Sequence, residues 1–274
     1  MPSIDLQRKE VLEVLTLVNK LKGYDFLNYS ESSIKRRMIR FMGLCNIQNA
    51  FELKHLLTND QKAYLKFIDE IPVLHTEMFR DAICFQALKN EVYPYLATYP
   101  HLKIWHAACA TGQEVYSNAI FLHEAGLLKR SKIYATDMSK QGLSTSQLGT
   151  YKLSQLQQYQ KNYEAAQGQT HLSNYYDATG KDGVLKPFLK EHMVFSFHNL
   201  VTDGSFNEFN LIVCRNVLIY FNMELQNRVF KLLYDSLAPF GYLVLGTKES
   251  MYGSELQNRF ELINAEAKVY RKKS

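Results

Sequence analysis

Two stretches carry residue types whose spacing could do chemistry: Lys103 to Gly112, KIWHAACATG, and Lys132 to Asp137, KIYATD. In the first, the apolar pair Ile104-Trp105 leads into small residues, Ala107 to Gly112, and then Glu114. In the second, Ile133 to Thr136 stops at an acid, Asp137. Small residues let a backbone approach a ligand, and an acid ending the next strand can accept both hydroxyls of a ribose. Asp137 follows Gly112 by 25 residues (137 − 112), close to the roughly 20-residue offset expected of a ribose-binding acid.

The elements that must position these residues are a buried strand, a tight turn, a helix over Glu114 to Glu124 and a second strand. A dinucleotide site would require G-x-G-x-x-G to seat a pyrophosphate at the helix N-terminus; only Gly112 is present here. S-adenosylmethionine (SAM) has no phosphate and needs no such cradle, so the residues favour SAM over NAD. An ordinary βαβ unit without a cofactor stays open at this point. Other strands are expected at Met193 to Phe197, Phe209 to Cys214, Tyr242 to Leu245, Phe260 to Ile263 and Lys268 to Tyr270. Arg215-Asn216 ends the Phe209 run, at the strand edge where open α/β sheets bind ligands. Tyr220 follows in the next loop, before an amphipathic helix from Met223 to Leu237 ended by Pro239 and Gly241.

Ahead of this region, residues 1–70 show helical periodicity throughout and no strand signal, with Gly23 stopping the first helix. The helix after Ser30 sets Ile34, Met38, Ile39 and Phe41 against Lys35, Arg36, Arg37 and Arg40. These four cations face one acid, Glu31, and read either as a solvated face or as a docking surface for an acidic partner. Pro72 breaks the helical run. A new helix is expected from Met78 to Leu88, with Thr76 and Arg80 sharing its first face. Residues 150–191 read as an insertion, with a hairpin at Asn174 to Gly183.

Bulk properties exclude several classes. A 274-residue chain with 46% hydrophobic and 22% charged residues is expected to be globular, with one large or two smaller domains. It has no run of 18 apolar residues, so no transmembrane helix is expected, and MPSIDLQRKE lacks an apolar signal core. Four scattered cysteines without C-x-x-C make a metal or disulfide framework unexpected and fit a cytoplasmic setting. A net charge of +5 does not call for nucleic acid.

Several motifs in order resemble the CheR-type chemotaxis receptor methyltransferases, SAM-dependent protein-glutamate O-methyltransferases. SIKRRMIRFM resembles that family's basic helix and T-E-M-F-R-D, Thr76 to Asp81, its T-x-F-F-R-D signature. W-H-A-A-C-A-T-G-Q-E-V-Y-S, Trp105 to Ser117, resembles W-S-A-G-C-S-T-G-E-E-P-Y-S. A-T-D at Ala135, N-L at Asn199, C-R-N-V-L-I-Y-F at Cys214 and G-x-x-E-S at Gly246 complete the set. The resemblance implies an α/β fold: a Rossmann-like class I SAM methyltransferase sheet, a small N-terminal all-helical domain and a small β insertion. It implies a docking domain at 1–70, a catalytic domain at 71–274 and a β-subdomain at about 150–191. Thr76 and Arg80 would reach the cofactor, and Ala108 would lie in its turn. Glu114 would face the methionine amino group, Asp137 would hold the ribose, and Asn199 and Leu200 would line the adenine pocket. Arg215 and Asn216 would close the site, with Tyr220 beside the methyl group. The product would be S-adenosylhomocysteine (SAH), and the implied partner is the acidic, glutamate-bearing helical region of a chemoreceptor.

The chain departs from the pattern at Leu74, Met78, Ala108, Gln113, Val115 and Lys248. A glutamate has a pKa of about 4.3 and is ionised at neutral pH, so methyl transfer to it needs alignment rather than a base. Arg80 is the candidate for steering that carboxylate. The alternatives are methylation of another protein or a small molecule, or a regulatory SAM-binding module without turnover.

Overall fold

The computed structural model describes residues 5–72 and 74–274. Met1 to Ile4, which begin the stretch read for a leader, and Val73 lie outside the described residues. The chain divides into two compact units, Met1–Leu74 with Leu218–Arg228, and His75–Val217 with Val229–Ser274.

The first unit carries α1 (Arg8–Lys22), α2 (Glu31–Leu44), α3 (Ala50–Asn59) and α4 (Gln61–Glu70). Helix α1 buries Val11, Val14, Leu15 and Val18 and ends where Gly23 takes a left-handed φ of 76°. Asn49 caps α3 through the Glu52 N–H, and Asp60 caps α4 through Lys62 and Ala63. Helix α2 buries Ile34, Met38, Phe41 and Met42, and Phe41 meets Phe67 of α4 edge-on at 5.1 Å. Of its four cations, Lys35 pairs with Asp5 at 2.6 Å and Arg40 with Glu70 at 3.6 Å, while Arg36 is exposed.

The second unit opens with α5 (Ala82–Ala87), a π-helical turn at Leu88–Val92 and α6 (Tyr93–Leu96). Then come β1 (Leu102–Ala107), α7 (Gln113–Glu124), β2 (Ser131–Asp137) and α8 (Lys140–Leu148). The insertion comprises β3 (Thr150–Lys152), α9 (Leu153–Ala165), β4 (Tyr176–Thr179), β5 (Asp182–Leu185) and α10 (Pro187–Lys190). The chain continues through β6 (Met193–Phe197), β7 (Phe209–Cys214), α11 (Met223–Asp235), β8 (Leu237–Leu245), β9 (Phe260–Asn264) and β10 (Val269–Lys272).

The main sheet has the order β6-β2-β1-β7-β8-β10-β9. Strands β6 to β8 run parallel, and β10 is antiparallel to both β8 and β9. This is an α/β fold with a seven-stranded mixed sheet, an N-terminal helical region and a small antiparallel sheet, β3-β5-β4, in the insertion. The chain turns to opposite sides of β1, to β2 and to β7, so the switch point for ligands lies at the C-terminal ends of these strands. No helix among the described residues is long and apolar enough to cross a membrane.

Three expectations need correction. The helix expected from Met78 begins at Ala82, so Thr76 and Arg80 do not share a helical face. Met78-Phe79 instead form a turn, with Phe79 at φ 55° and Asp81 at φ 56°. Tertiary contacts impose it: the Phe79 N–H donates to Ser117 Oγ at 3.0 Å, and its ring packs on Phe85, Phe121 and Tyr163. The insertion contains a 13-residue helix, α9, which its Gln- and Tyr-rich composition did not signal; Leu156 and Tyr163 bury its inner face. Strand β8 begins at Leu237 rather than Tyr242. Pro239 fits within it because Phe240 takes φ 62° and the register with β7 shifts between Phe209 and Leu211.

Candidate active site

The turn after β1 is strained. Ala108, Ala110 and Gly112 have φ values of 59°, 50° and 89°, and left-handed backbone at an alanine costs about 1–2 kcal/mol. Four hydrogen bonds hold it there: Cys109 N–H to Thr136 O, Gly112 N–H to Cys109 O, Ala110 N–H to Asp137 Oδ2 and Tyr151 OH to Thr111 O. Glycine at 112 has a second cause beyond its φ. A Cβ there would lie 2.0 Å from Ser146 Oγ on α8, so the turn and that helix touch.

Asp137 ends β2, next to this turn. Its side chain accepts Ala110 N–H and Ser139 N–H, each at 2.8 Å. One strand over, Phe197 pairs with Asp137, and Asn199 and Leu200 follow, both buried. Asn199 Oδ1 accepts Val201 N–H, which folds that loop back on itself.

Behind the turn runs a buried polar chain. Arg215, whose side chain is 0% exposed, donates Nη1 to Glu114 at 2.6 Å and Nη2 to Asp81 at 2.7 Å. Nη2 also reaches the carbonyl of Arg80 at 3.1 Å. Glu114 faces His106 Nδ1 at 3.5 Å, His106 Nε2 meets Asn118, and Asn118 accepts the Tyr93 hydroxyl. Burial alone would raise the Glu114 pKa, but Arg215 and His106 outweigh it and hold the carboxyl below its usual value. Glu249 forms a second support. It accepts the N–H groups of Asn216, Val217 and Gly246 at 2.9, 2.8 and 2.6 Å. Burial pushes the thiols of Cys109 and Cys214 well up, and that of Cys84 to about 11, so all three are packed thiols rather than nucleophiles.

The second unit therefore brings Ala108, Glu114, Asp137, Asn199, Leu200, Arg215 and Asn216 to the C-terminal ends of adjacent strands. Arg215 does so as a fully buried brace between Glu114 and Asp81. Thr76 and Arg80 are half-buried ahead of α5, and Tyr220 lies in the first unit. Sequence reasoning gave no role to His106, Asn118, Asp81 or Glu249. The signal for His106 was a polar residue inside an apolar strand; for Asp81 and Glu249 it was an acid inside a motif already quoted.

Against known proteins, residues 74–269 match the CheR methyltransferase, SAM binding domain, and residues 9–71 match the CheR methyltransferase, all-alpha domain. The chain belongs to the CheR methyltransferase family. It is 38% identical over 269 residues to the Pseudomonas putida candidate methyltransferase Cher3, covering 97% of this chain and 98% of that one. It is 29% identical over 259 residues to a chemotaxis protein methyltransferase of Listeria monocytogenes, covering 92% and 96%. A 104.1 kDa Rhodobacter capsulatus protein matches at 28% over 268 residues, 95% of this chain but only 27% of that longer one.

As a member of this family the chain is a SAM-dependent methyltransferase, and its residues fit the cofactor. Three carboxylates, Asp81, Glu114 and Asp137, stand against one buried cation, Arg215, a net negative charge suited to SAM, whose sulfonium and ammonium outweigh its one carboxylate. Bound SAM supplies an electrophilic methyl group.

Proposed function

We propose that this chain transfers the methyl group of SAM to glutamate side chains in the acidic helical region of a chemoreceptor, giving γ-glutamyl methyl esters and SAH. The names of its relatives as chemotaxis protein methyltransferases support this acceptor. In this reading Asp137 takes the ribose, and Asn199 and Leu200 the adenine. Glu114, Ala108, Thr76 and Asn216 meet the methionine end. Lys35, Arg36, Arg37 and Arg40 of the helical domain, residues 1–70, orient the receptor, and the reaction runs in the cytoplasm.

One observation carries the acceptor assignment. No acid among the described residues pairs with the half-buried Arg80 guanidinium, although Asp81 and Glu114 lie close by in sequence or space. Both acids are already held by Arg215, and Arg215 Nη2 also fixes the Arg80 carbonyl. Arg80 is thus left available for an incoming carboxylate. SAM held there would supply the methyl group to the carboxylate oxygen, with SAH as the leaving group. No proton moves, so Arg80 and Tyr220 act by alignment.

The test is transfer of tritiated methyl from SAM to a panel of receptor cytoplasmic fragments by wild type and Arg80→Ala. The expected label is base-labile, with the variant slower by about 100-fold and its SAH affinity and melting temperature retained. Base-stable label would refute the acceptor, and equal rates would remove Arg80 from the mechanism.

A further inference from the structure

The loop that carries Tyr220 is fastened at both ends. On one side Glu249 takes the N–H groups of Asn216 and Val217. Three residues on, the backbone pairs with the segment before α2. Ser30 N–H donates to Tyr220 O at 2.6 Å, Asn222 N–H donates to Asn28 O at 2.9 Å, and Tyr29 and Phe221 form an antiparallel bridge between them. Side chains reinforce it. Asn222 Nδ2 donates to Asn28 Oδ1 at 3.0 Å, and the Tyr29 and Phe221 rings meet edge-on at 4.8 Å. Asn222 is anchored in turn, its Oδ1 accepting Leu225 N–H at the start of α11. Gln226 holds the carbonyls of Leu218 and Phe221, each at 3.0 Å.

Ser30 is also the N-cap residue of α2, the helix bearing Lys35, Arg36, Arg37 and Arg40. The residue that starts the cationic helix therefore bonds directly to the carbonyl of Tyr220. An isolated bridge between two short loops has no neighbouring strand to hold it, so its side-chain bonds weigh heavily. We propose that Asn28 is a positioning residue for methyl transfer: its carboxamide locks Asn222 and so sets Tyr220 from the start of the docking helix. Because the helix and the loop share this clamp, engagement of α2 by an acidic partner bears on the placement of Tyr220. This inference rests on the function proposed above.

The test compares wild type with Asn28→Ala, Asn28→Asp and Asn222→Ala. Asn28→Ala deletes one acceptor, on half-buried Asn28, of a bond whose donor Asn222 is exposed, and leaves the backbone bridge. Loss of a single such hydrogen bond corresponds to roughly a fivefold change. The expected result is kcat toward a receptor fragment down about fivefold, with KM for SAM within about twofold and hydrogen exchange at 218–222 faster by a similar factor. Asn28→Asp keeps the acceptor and restores both readouts, and adding Asn28→Ala to Asn222→Ala lowers kcat no further. Unchanged exchange, a rise in SAM KM that tracks the kcat loss, or failure of Asn28→Asp to rescue would each overturn the proposal. Should the wild type methylate no receptor fragment, the proposed function falls, while the exchange measurements still decide the clamp.

Discussion

Replacing Arg215 by methionine keeps much of the side chain's volume and removes its charge, so it isolates what the guanidinium does. Two carboxylates lose their counter-ion: Glu114, 17% exposed, and Asp81, 29% exposed. The Arg80 carbonyl loses its donor as well. Removing one partner of a buried ion pair costs about 3–5 kcal/mol. The acids' partial exposure favours the lower end, since solvent screens what remains. For a body of 150–250 residues, about 2–4 °C of melting temperature goes with each kcal/mol, so about 3 kcal/mol predicts a fall of roughly 6–12 °C at pH 7. The pH dependence gives a second constraint. Against the pull of burial, Arg215 and His106 hold the folded-state Glu114 carboxyl below its ordinary value of 4.5. Its contribution is therefore present above that value and is lost as pH falls through the lower, folded one. In Arg215→Met the carboxyl keeps only His106 to hold it down and protonates more readily. The gap between wild type and variant should then be widest above pH 4.5 and narrow below it. Paired thermal melts at pH 7 and pH 4 read both effects. A fall under about 2 °C at pH 7, or a gap that does not shrink in acid, would refute the account of Arg215 as a charged brace.

Two further outcomes follow from the same geometry. Gly112→Ala places a Cβ 2.0 Å from Ser146 Oγ at a φ of 89°. It should lose more than about 1 kcal/mol of stability and weaken SAM binding, as read by denaturant melts and calorimetry; wild-type values for both would show that the turn is slack. In alkylation at pH 8, half-buried Cys45 should react first, while Cys84, Cys109 and Cys214 stay slow behind burial that raises their pKa values. Rapid loss of Cys109 by peptide mass mapping would contradict the closed turn.

How far the sequence disclosed the structure depends on whether the cause was local. Strands such as Phe209 to Cys214 announce themselves because both faces are covered and the apolar run is nearly unbroken. The cap residues Gly23, Asn49 and Asp60 act within a few residues of themselves, so the four N-terminal helices could be anticipated. The turn at Met78 to Asp81 could not. Its amphipathic spacing suits a helix, and what breaks it is Ser117, 38 positions away, together with rings from α5, α7 and α9. The site divides in the same way. That Asp137 ends a strand was legible from the apolar run before it. Arg215 was expected at this edge, but its burial between Glu114 and Asp81 could not be read, because those partners are 101 and 134 residues away. A motif indicates which residues gather at a sheet edge, but not which of them neutralise one another there. That pairing explains the site's charge logic: Arg215 takes up both neighbouring acids, and no acid among the described residues pairs with Arg80, one residue before Asp81.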